Sequence, residues 1–343
     1  MVSVVIVTRG RASLLERCVR SLIAAASAAP ERPVELVVEV NGRDAASSAA
    51  LSSLAEEARA HGIELRHHEE QAALSPAGAR NRVLREARGP WIFFADDDVF
   101  VPLSIFRDFD RLLERFPGAI ALGGPNLTPP GSTIFQRASG LALASRLATW
   151  QSVPRYRAIG APRPCGQESL ILCGLFVRTD ALGNDPFRDS LACGEENWLI
   201  RRLSLGERGR GAVIYSPELL VWHERRRSLA AFARQVFWYG CGRGQNLRLA
   251  LGERKLEGRR YLVPSACVIY ALAALLYSAG DRDLPRAFGL PFLFYGAICA
   301  SALLASLAAR EDDRPARALS TLLIPVVHCF YGIGVLFGLA RRS

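Results

Sequence analysis

Lysine is nearly absent from this chain. Lys255 is the only one in 343 residues, so arginine carries almost all of the positive charge behind a formal net value of +10. A basic chain implies an anionic partner: nucleic acid, a phosphorylated substrate or an acidic membrane surface. Helix-turn-helix and RNP-like patterns are both missing, which sets nucleic acid aside. The eight cysteines (Cys18, Cys165, Cys173, Cys193, Cys241, Cys267, Cys299 and Cys329) include no CxxC pair, and no histidine lies at zinc-ligand spacing from two of them. That excludes a cysteine–histidine zinc module and leaves reduced cysteines filling small buried spaces. No GxGxxG follows the first apolar run and no GxxxxGK[ST] occurs anywhere. The phosphate cradles of dinucleotide-binding and P-loop proteins are therefore lacking. The opening MVSVVIVTRGR runs from apolar to basic, the reverse of a secretory leader, so the first part of the chain is expected in the cytoplasm.

What is present is hydrophobic and unevenly spread. Half of the residues are hydrophobic and 22% are charged, which suits a folded chain, and the length calls for at least two structural units. Three late segments are almost free of charge: residues 262–279 (LVPSACVIYALAALLYSA), 290–309 (LPFLFYGAICASALLASLAA) and 322–340 (LLIPVVHCFYGIGVLFGLA). Each approaches the ~20 residues with which a helix crosses a bilayer, and their small residues and terminal tyrosines suit that role. Arg254, Lys255, Arg259 and Arg260 precede the first segment, and Arg310, Arg314 and Arg317 separate the second from the third. Only Arg282 and Arg286 lie between the first two, and Arg341 and Arg342 follow the third. The positive-inside rule then keeps the N-terminal part cytoplasmic and the C-terminus outside. The expected organisation is a cytoplasmic domain over residues 1–225, a basic interface segment over 226–260 and a bundle of three transmembrane helices over 261–343. Such a protein would be a multi-pass protein of the inner (cytoplasmic) membrane.

The N-terminal part has a different rhythm. Short β-branched or aromatic runs at residues 2–7 (VSVVIV), 34–40 (VELVVEV), 63–67 and 91–95 alternate with helical stretches at 12–29, 45–61 and 77–88. This predicts an α/β fold with a mostly parallel sheet and helices on both faces. Ligands bind such sheets at the C-terminal ends of the strands, and FFADDDVF, residues 93–100, stands at one of them. In an extended segment Asp96 and Asp98 face one way and Asp97 the other. Two carboxylates on one side suit the hydroxyls of a sugar, or Mg²⁺ or Mn²⁺ with substrate phosphates in its shell. An acidic N-cap for a helix starting near Ser104 is the plain alternative. Three acids at the mouth of a parallel sheet in a basic chain favour a metal–diphosphate site.

The run SPAGARNRVLREARGPWIFFADDDV (residues 75–99) resembles the central signature of family-2 glycosyltransferases, in which an Ala-Arg-Asn helix precedes a strand ending in Asp-x-Asp. The opening SVVIVTRGRASLLERCVRSL (residues 3–22) is similar to the family's first strand and helix. Gly194-Glu195-Glu196-Asn197-Trp198-Leu199, with the following IRRLSLGERGRGAVIYSPELLVWHE, resembles its Gly-Glu-Asp acceptor motif and closing strand. The resemblance implies a GT-A fold, a metal-dependent transferase and a nucleotide-diphosphate sugar as donor, with a UDP-sugar foremost. It implies Asp98 and Asp96 as metal and nucleotide-sugar ligands, with His223 at a position that sometimes supplies another metal ligand. A strand-end histidine bonded to backbone is the alternative there. Glu39 takes the place of the acid that contacts the nucleoside, and Arg80 that of a residue near the diphosphate or ribose. Thr8, Arg9 and Arg11 belong to the first substrate loop, which reads Thr-Arg-Gly-Arg where the family usually has Thr-Tyr-Asn-Arg, and Asp97 stands beside the metal ligands. Glu196 matches the catalytic base, and Glu195 is the second candidate, because Trp198 stands where a further acid is common. A base that frees a sugar hydroxyl for one in-line attack inverts the anomeric carbon and needs no covalent nucleophile. Asp98→Asn is expected to abolish transfer, Asp96→Asn to weaken it and Asp97→Asn to matter least.

Residues 228–239 (SLAAFARQVFWY) align Leu229, Phe232, Ala233, Val236 and Phe237 on one helical face between arginines. Either the bilayer interface or the catalytic domain is expected to cover that face. The QxxRW of processive synthases is reduced here to Gln235, so transfer of a single sugar is expected. The glycine-rich residues 240–244 follow a helix and are not read as a nucleotide loop. A basic domain held at the cytoplasmic leaflet suits an anionic, membrane-confined acceptor, a polyprenyl-diphosphate-linked glycan in polysaccharide assembly. Transfer to polyprenyl phosphate itself, and an inactive sugar-nucleotide-binding scaffold, are the competing readings.

Overall fold

A computed structural model describes residues 1–191, 193–206, 211–252, 259–279, 286–308 and 313–341. Two compact units emerge, Met1–Pro129 with Gln151–Glu224, and Pro130–Trp150 with Arg225–Ser343. Residues 130–150 thus leave the first unit and join the C-terminal helices, an excursion that no break in the sequence pattern announces.

The first unit is built on a mixed sheet. Its strands, in chain order, are β1 (Val2–Thr8), β2 (Val34–Val40), β3 (Glu64–Glu69), β4 (Trp91–Asp96), β5 (Val99–Phe100), β6 (Ala121–Gly123), β7 (Asn126–Leu127), β8 (Arg163–Pro164), β9 (Leu175–Arg178), β10 (Val213–Tyr215) and β11 (Val221–His223). Eight of them form one sheet in the order β3-β2-β1-β4-β9-β6-β10-β8. The first four are parallel, as the alternation with helices predicts. β9 then runs antiparallel to both β4 and β6. It arrives from a long excursion instead of a helical crossover, so nothing forces a parallel entry.

Period-two alternation divides the core. Val4, Ile6, Val38 and Phe93 face the helices Ala12–Ser27, Ala45–Ala60 and Ile105–Arg115, whereas Val5, Val37, Ile92 and Phe94 face the helices Pro76–Leu84 and Glu195–Leu205. Both sheet faces are covered, which explains why β1 and β4 read as nearly continuous apolar runs. Phe176 of β9 packs on Phe93 and Phe109, with ring centroids 4.3 and 4.1 Å apart. A small second sheet, β5-β11-β7, stands apart from the main one.

The second unit is helical. Thr133 and Gln136 form a reciprocal capping box at the start of the helix Ile134–Leu143. The helix Leu229–Gly252 continues through the glycine-rich residues and lies against the helix Arg314–Ala340. A Cβ on Gly240 would come 2.2 Å from the Tyr331 carbonyl oxygen, and one on Gly338 2.0 Å from that of Cys241. The glycines are therefore a backbone-to-backbone crossing of two helices. Phe232, Ala233 and Val236 of the expected apolar face are buried, whereas Leu229 is exposed. Three helices, Arg260–Ala279, Leu290–Ala308 and Arg314–Ala340, are long and apolar enough to cross a membrane. The third starts ahead of the expected residue 322, so Arg314 and Arg317 are helical. His328 pairs with the Tyr295 hydroxyl at 2.8 Å and the Leu147 carbonyl at 2.9 Å. Arg254, Lys255, Arg282, Arg310 and Arg342, on which the orientation rests in part, lie outside the described residues.

Candidate active site

The three aspartates leave β4 in a turn. Asp96 is the last residue of the strand, and Asp97 and Asp98 form the turn that leads into β5. Strand alternation therefore ends at Asp96, and the turn keeps Asp98 on the side of Asp96 while Asp97 faces inward. The helix that follows is capped at Ser104 without a side-chain bond, so the acids are not its N-cap.

Asp97 is completely buried. It accepts the Thr8 hydroxyl at 2.7 Å and pairs with Arg11 Nη2 at 2.6 Å. Burial pushes its carboxyl up to about 6, opposed by Arg11 and assisted by Asp98. Asp97 thus braces the loop after β1, and its carboxylate is taken up by Thr8 and Arg11. Arg9, in the same loop, is exposed.

The small sheet assembles the rest. β11 pairs antiparallel with β5, which sets His223 opposite Val99, and parallel with β7, which sets Val221 opposite Asn126. His223 Nε2 lies 3.0 Å from Asp98 Oδ1, and Nδ1 lies 3.3 Å from Asn126 Nδ2. The other Asp98 oxygen meets Arg11 Nη1 at 2.7 Å. The strand-end histidine is therefore bonded to side chains. Burial works against a charged ring, but Asp98 and then Cys173 outweigh it and raise the imidazole to about 10. Ligand-type atoms of Asp96, Asp98 and His223 lie within 4.8 Å of one another. Two carboxylates and an imidazole are a donor set that fits a divalent cation.

Arg80 links this cluster to the acceptor motif. Its helix is capped by Ser75, whose hydroxyl accepts the Gly78 amide at 2.9 Å, with Pro76 in the first turn. From there Arg80 forms an ion pair with Glu195 and reaches Asp96 at 3.4 Å. Glu195 and Glu196 open the helix Glu195–Leu205, after Gly194 at φ 73°, where the dipole favours negative charge. Burial raises the Glu196 carboxyl, with the Glu195 charge adding to it. Asn197 donates to Glu196 at 3.2 Å and accepts Arg155 Nη2 at 2.7 Å.

The fold thus brings Thr8, Arg11, Arg80, Asp96, Asp97, Asp98, His223, Glu195 and Glu196 into one connected network. Glu39 is not in it. The ionisable groups around it are His68, Glu70, Arg82 and Glu86, towards β3. Asn126 and Arg155 were not legible as site residues, because neither stands in a motif. Only the Gly-Gly-Pro ahead of Asn126 hinted at a special backbone.

A mostly parallel sheet with β9 and β8 reversed and acids at its mouth defines the GT-A-like class of glycosyltransferase fold. The chain belongs to Glycosyl transferase family 2, whose profile matches residues 3–174. That match stops short of Glu195, Glu196 and His223. Among solved structures the chain is similar to mannosyltransferase PcManGT from Pyrobaculum calidifontis in complex with GDP-Man and Mn²⁺, at 17% identity and TM-score 0.61, covering 100% of this chain and 88% of that one. It is also similar to S. aureus TarS 1-349 in complex with UDP-GlcNAc, at 13% identity and TM-score 0.43, covering 71% of this chain. The chain spans 66% of that TarS fragment. The search of curated proteins gave no match.

Proposed function

We propose that this glycosyltransferase transfers a single sugar, with inversion, from a nucleotide-diphosphate sugar to a hydroxyl of a polyprenyl-diphosphate-linked glycan at the cytoplasmic face of the inner membrane. The observation that carries the reading is Arg80, which spans the Asp96 carboxylate and the Glu195–Glu196 helix start. A donor diphosphate and an acceptor hydroxyl meeting there would have a cation site on one side and a base on the other.

Asp96, Asp98 and His223 are the residues to hold Mg²⁺ or Mn²⁺, which would neutralise charge developing on the departing nucleotide diphosphate. PcManGT, of the same fold, carries this kind of donor and cation together; a UDP-sugar is the donor to test first. Arg11, more than a third exposed, supplies the counter-charge to Asp98 until the donor arrives and can then turn towards the phosphates. Arg80 serves the diphosphate or ribose. Glu195 is committed to its ion pair with Arg80 and serves as a positioning group. Glu196 keeps a raised proton affinity and is the general base that takes the acceptor hydroxyl's proton. Three apolar helices support membrane attachment, and attachment makes a lipid-linked acceptor accessible by two-dimensional diffusion.

The test is single-turnover transfer by the detergent-solubilised chain, with UDP-, GDP- and dTDP-sugars and Mn²⁺. Glu196→Gln is expected to slow transfer by roughly 10²–10⁴-fold, the usual worth of a general base. Unchanged rates in both Glu196→Gln and Glu195→Gln would remove the base and leave a binding scaffold. Product on polyprenyl phosphate without a pre-existing sugar would replace the glycan acceptor by the lipid carrier itself.

A further inference from the structure

Glu39 ends β2 with its side chain on the face covered by the helix Pro76–Leu84. It is completely buried, and neither carboxylate oxygen has a hydrogen-bond partner. An ionised carboxylate stripped of water and left unpaired is strongly disfavoured. Glu39 nevertheless borders a cavity of about 350 Å³ that Arg66, His68, Arg82 and Glu86 also line. The neighbouring cations are otherwise engaged. Arg82 bonds Glu86 at 2.7 Å and lies 3.6 Å from Glu70, and Arg66 is held by Glu35 at 2.8 Å and Glu64 at 3.0 Å.

Strand register supplies what Glu39 lacks. β3 sets His68 directly opposite Glu39, and Glu70 follows the end of that strand. Ligand-type atoms of the three residues lie within 4.8 Å of one another, and His68 Nε2 is 3.5 Å from Glu70 Oε1. Bonds of about 2.0–2.2 Å to a tetrahedral ion put donors roughly 3.3–3.6 Å apart, the separation this pair already has.

We propose that Glu39, His68 and Glu70 form a second divalent-cation site, separate from the Asp96–Asp98–His223 cluster. One imidazole with two carboxylates suits Zn²⁺ or Mn²⁺, whereas Ca²⁺ prefers an oxygen-only shell. The two sites are distinct because Val7 of β1 pairs with Glu39 on one side and Asp96 on the other. Two strand spacings of ~4.8 Å separate them. A bound cation compensates the buried Glu39 charge and clips the edge strand β3 to β2, beneath the helix that carries Arg80.

The test is metal counting on the full chain in detergent, stripped with chelator and then titrated with Zn²⁺ or Mn²⁺ by calorimetry and elemental analysis. An Asp96→Asn/Asp98→Asn background silences the proposed donor site, so failure here is distinguishable from failure there. In that background the chain is expected to retain one ion. Adding Glu39→Gln should remove it, and adding His68→Ala, at a half-exposed side chain, should weaken binding by at least about tenfold. Thermal unfolding of each variant verifies folding; should Glu39→Gln fold poorly, His68→Ala decides. A background chain that binds no ion overturns the proposal, as does unchanged binding after both substitutions.

Discussion

Glu39 makes the electrostatics of this fold measurable through a single substitution, Glu39→Gln in the presence of chelator. With no cation, burial is the main cause that raises its carboxyl from 4.5 to about 7; Glu70 and Glu86 add to the shift and Arg82 opposes it. The folded chain therefore holds this proton to higher pH than the unfolded chain does. Its stabilising contribution is complete below pH 4.5 and is lost as pH rises through 7. A displacement of that size corresponds to roughly 3 kcal/mol at most, which gives the variant an advantage of about 6–12 °C in Tm at pH 8.5 for a unit of this size. At pH 5, where both side chains are neutral, the two proteins should unfold within a few degrees of each other. Thermal unfolding of the detergent-solubilised chain between pH 5 and 9 measures the difference. A Tm gap that stays constant across that range, or a variant less stable at pH 8.5, would refute the reasoning. Saturating Zn²⁺ should erase the variant's advantage, since the cation then carries the compensation.

Three other outcomes follow from the same geometry. Asn126→Ala frees the His223 ring from its Nδ1 partner, so the Mn²⁺ concentration for half-maximal transfer should rise about tenfold while the rate at saturating Mn²⁺ is kept; an unmoved half-saturation point removes Asn126 from the site. Asp97→Asn leaves one acceptor where Thr8 and Arg11 now share two, and losing a charge-assisted bond of about 1.5–3 kcal/mol should lower kcat/KM by more than about tenfold, contrary to the small effect expected from sequence; wild-type kinetics would return Asp97 to a passive role. Gly338→Ala sets a Cβ 2.0 Å from the Cys241 carbonyl oxygen and should destabilise the helix pair by about 1–3 kcal/mol, whereas Gly296→Ala, with nothing within 4 Å, should not; equal melting curves for the two variants would contradict the close crossing.

Much of the first unit was legible because its signals are local. The runs VSVVIV, VELVVEV and WIFFA became β1, β2 and β4 almost to the residue, since alternating burial acts on consecutive side chains. The reversed strand β9 was not legible. Its sequence, LFVR, states that it is buried but not which neighbours it joins, and its direction depends on the path of the long excursion that precedes it. The passage of residues 130–150 into the second unit was hidden for the same reason. The apolar face of residues 228–239 was visible, but what covers it was not: the glycines that let the two helices approach are far apart in the chain.

Within the site, residue types were predictable and partnerships were not. Three adjacent aspartates after an apolar strand already announced a place where negative charge is useful, because burying them for packing alone costs too much. Only the fold decided that Asp97 turns inward to Thr8 and Arg11, and that Asp98 meets His223 through the β5–β11 pairing. It also separated Glu39 from the aspartates and gave it to His68 and Glu70. Composition and period by themselves determined β1 to β4, the helices between them and the three apolar spans, and the resemblance carried by the motifs added the class of chemistry. Which carboxylates share one cation, and which stand alone, depends on non-local strand register. A side chain's electrostatic partners are set by where strands distant in sequence come to lie side by side.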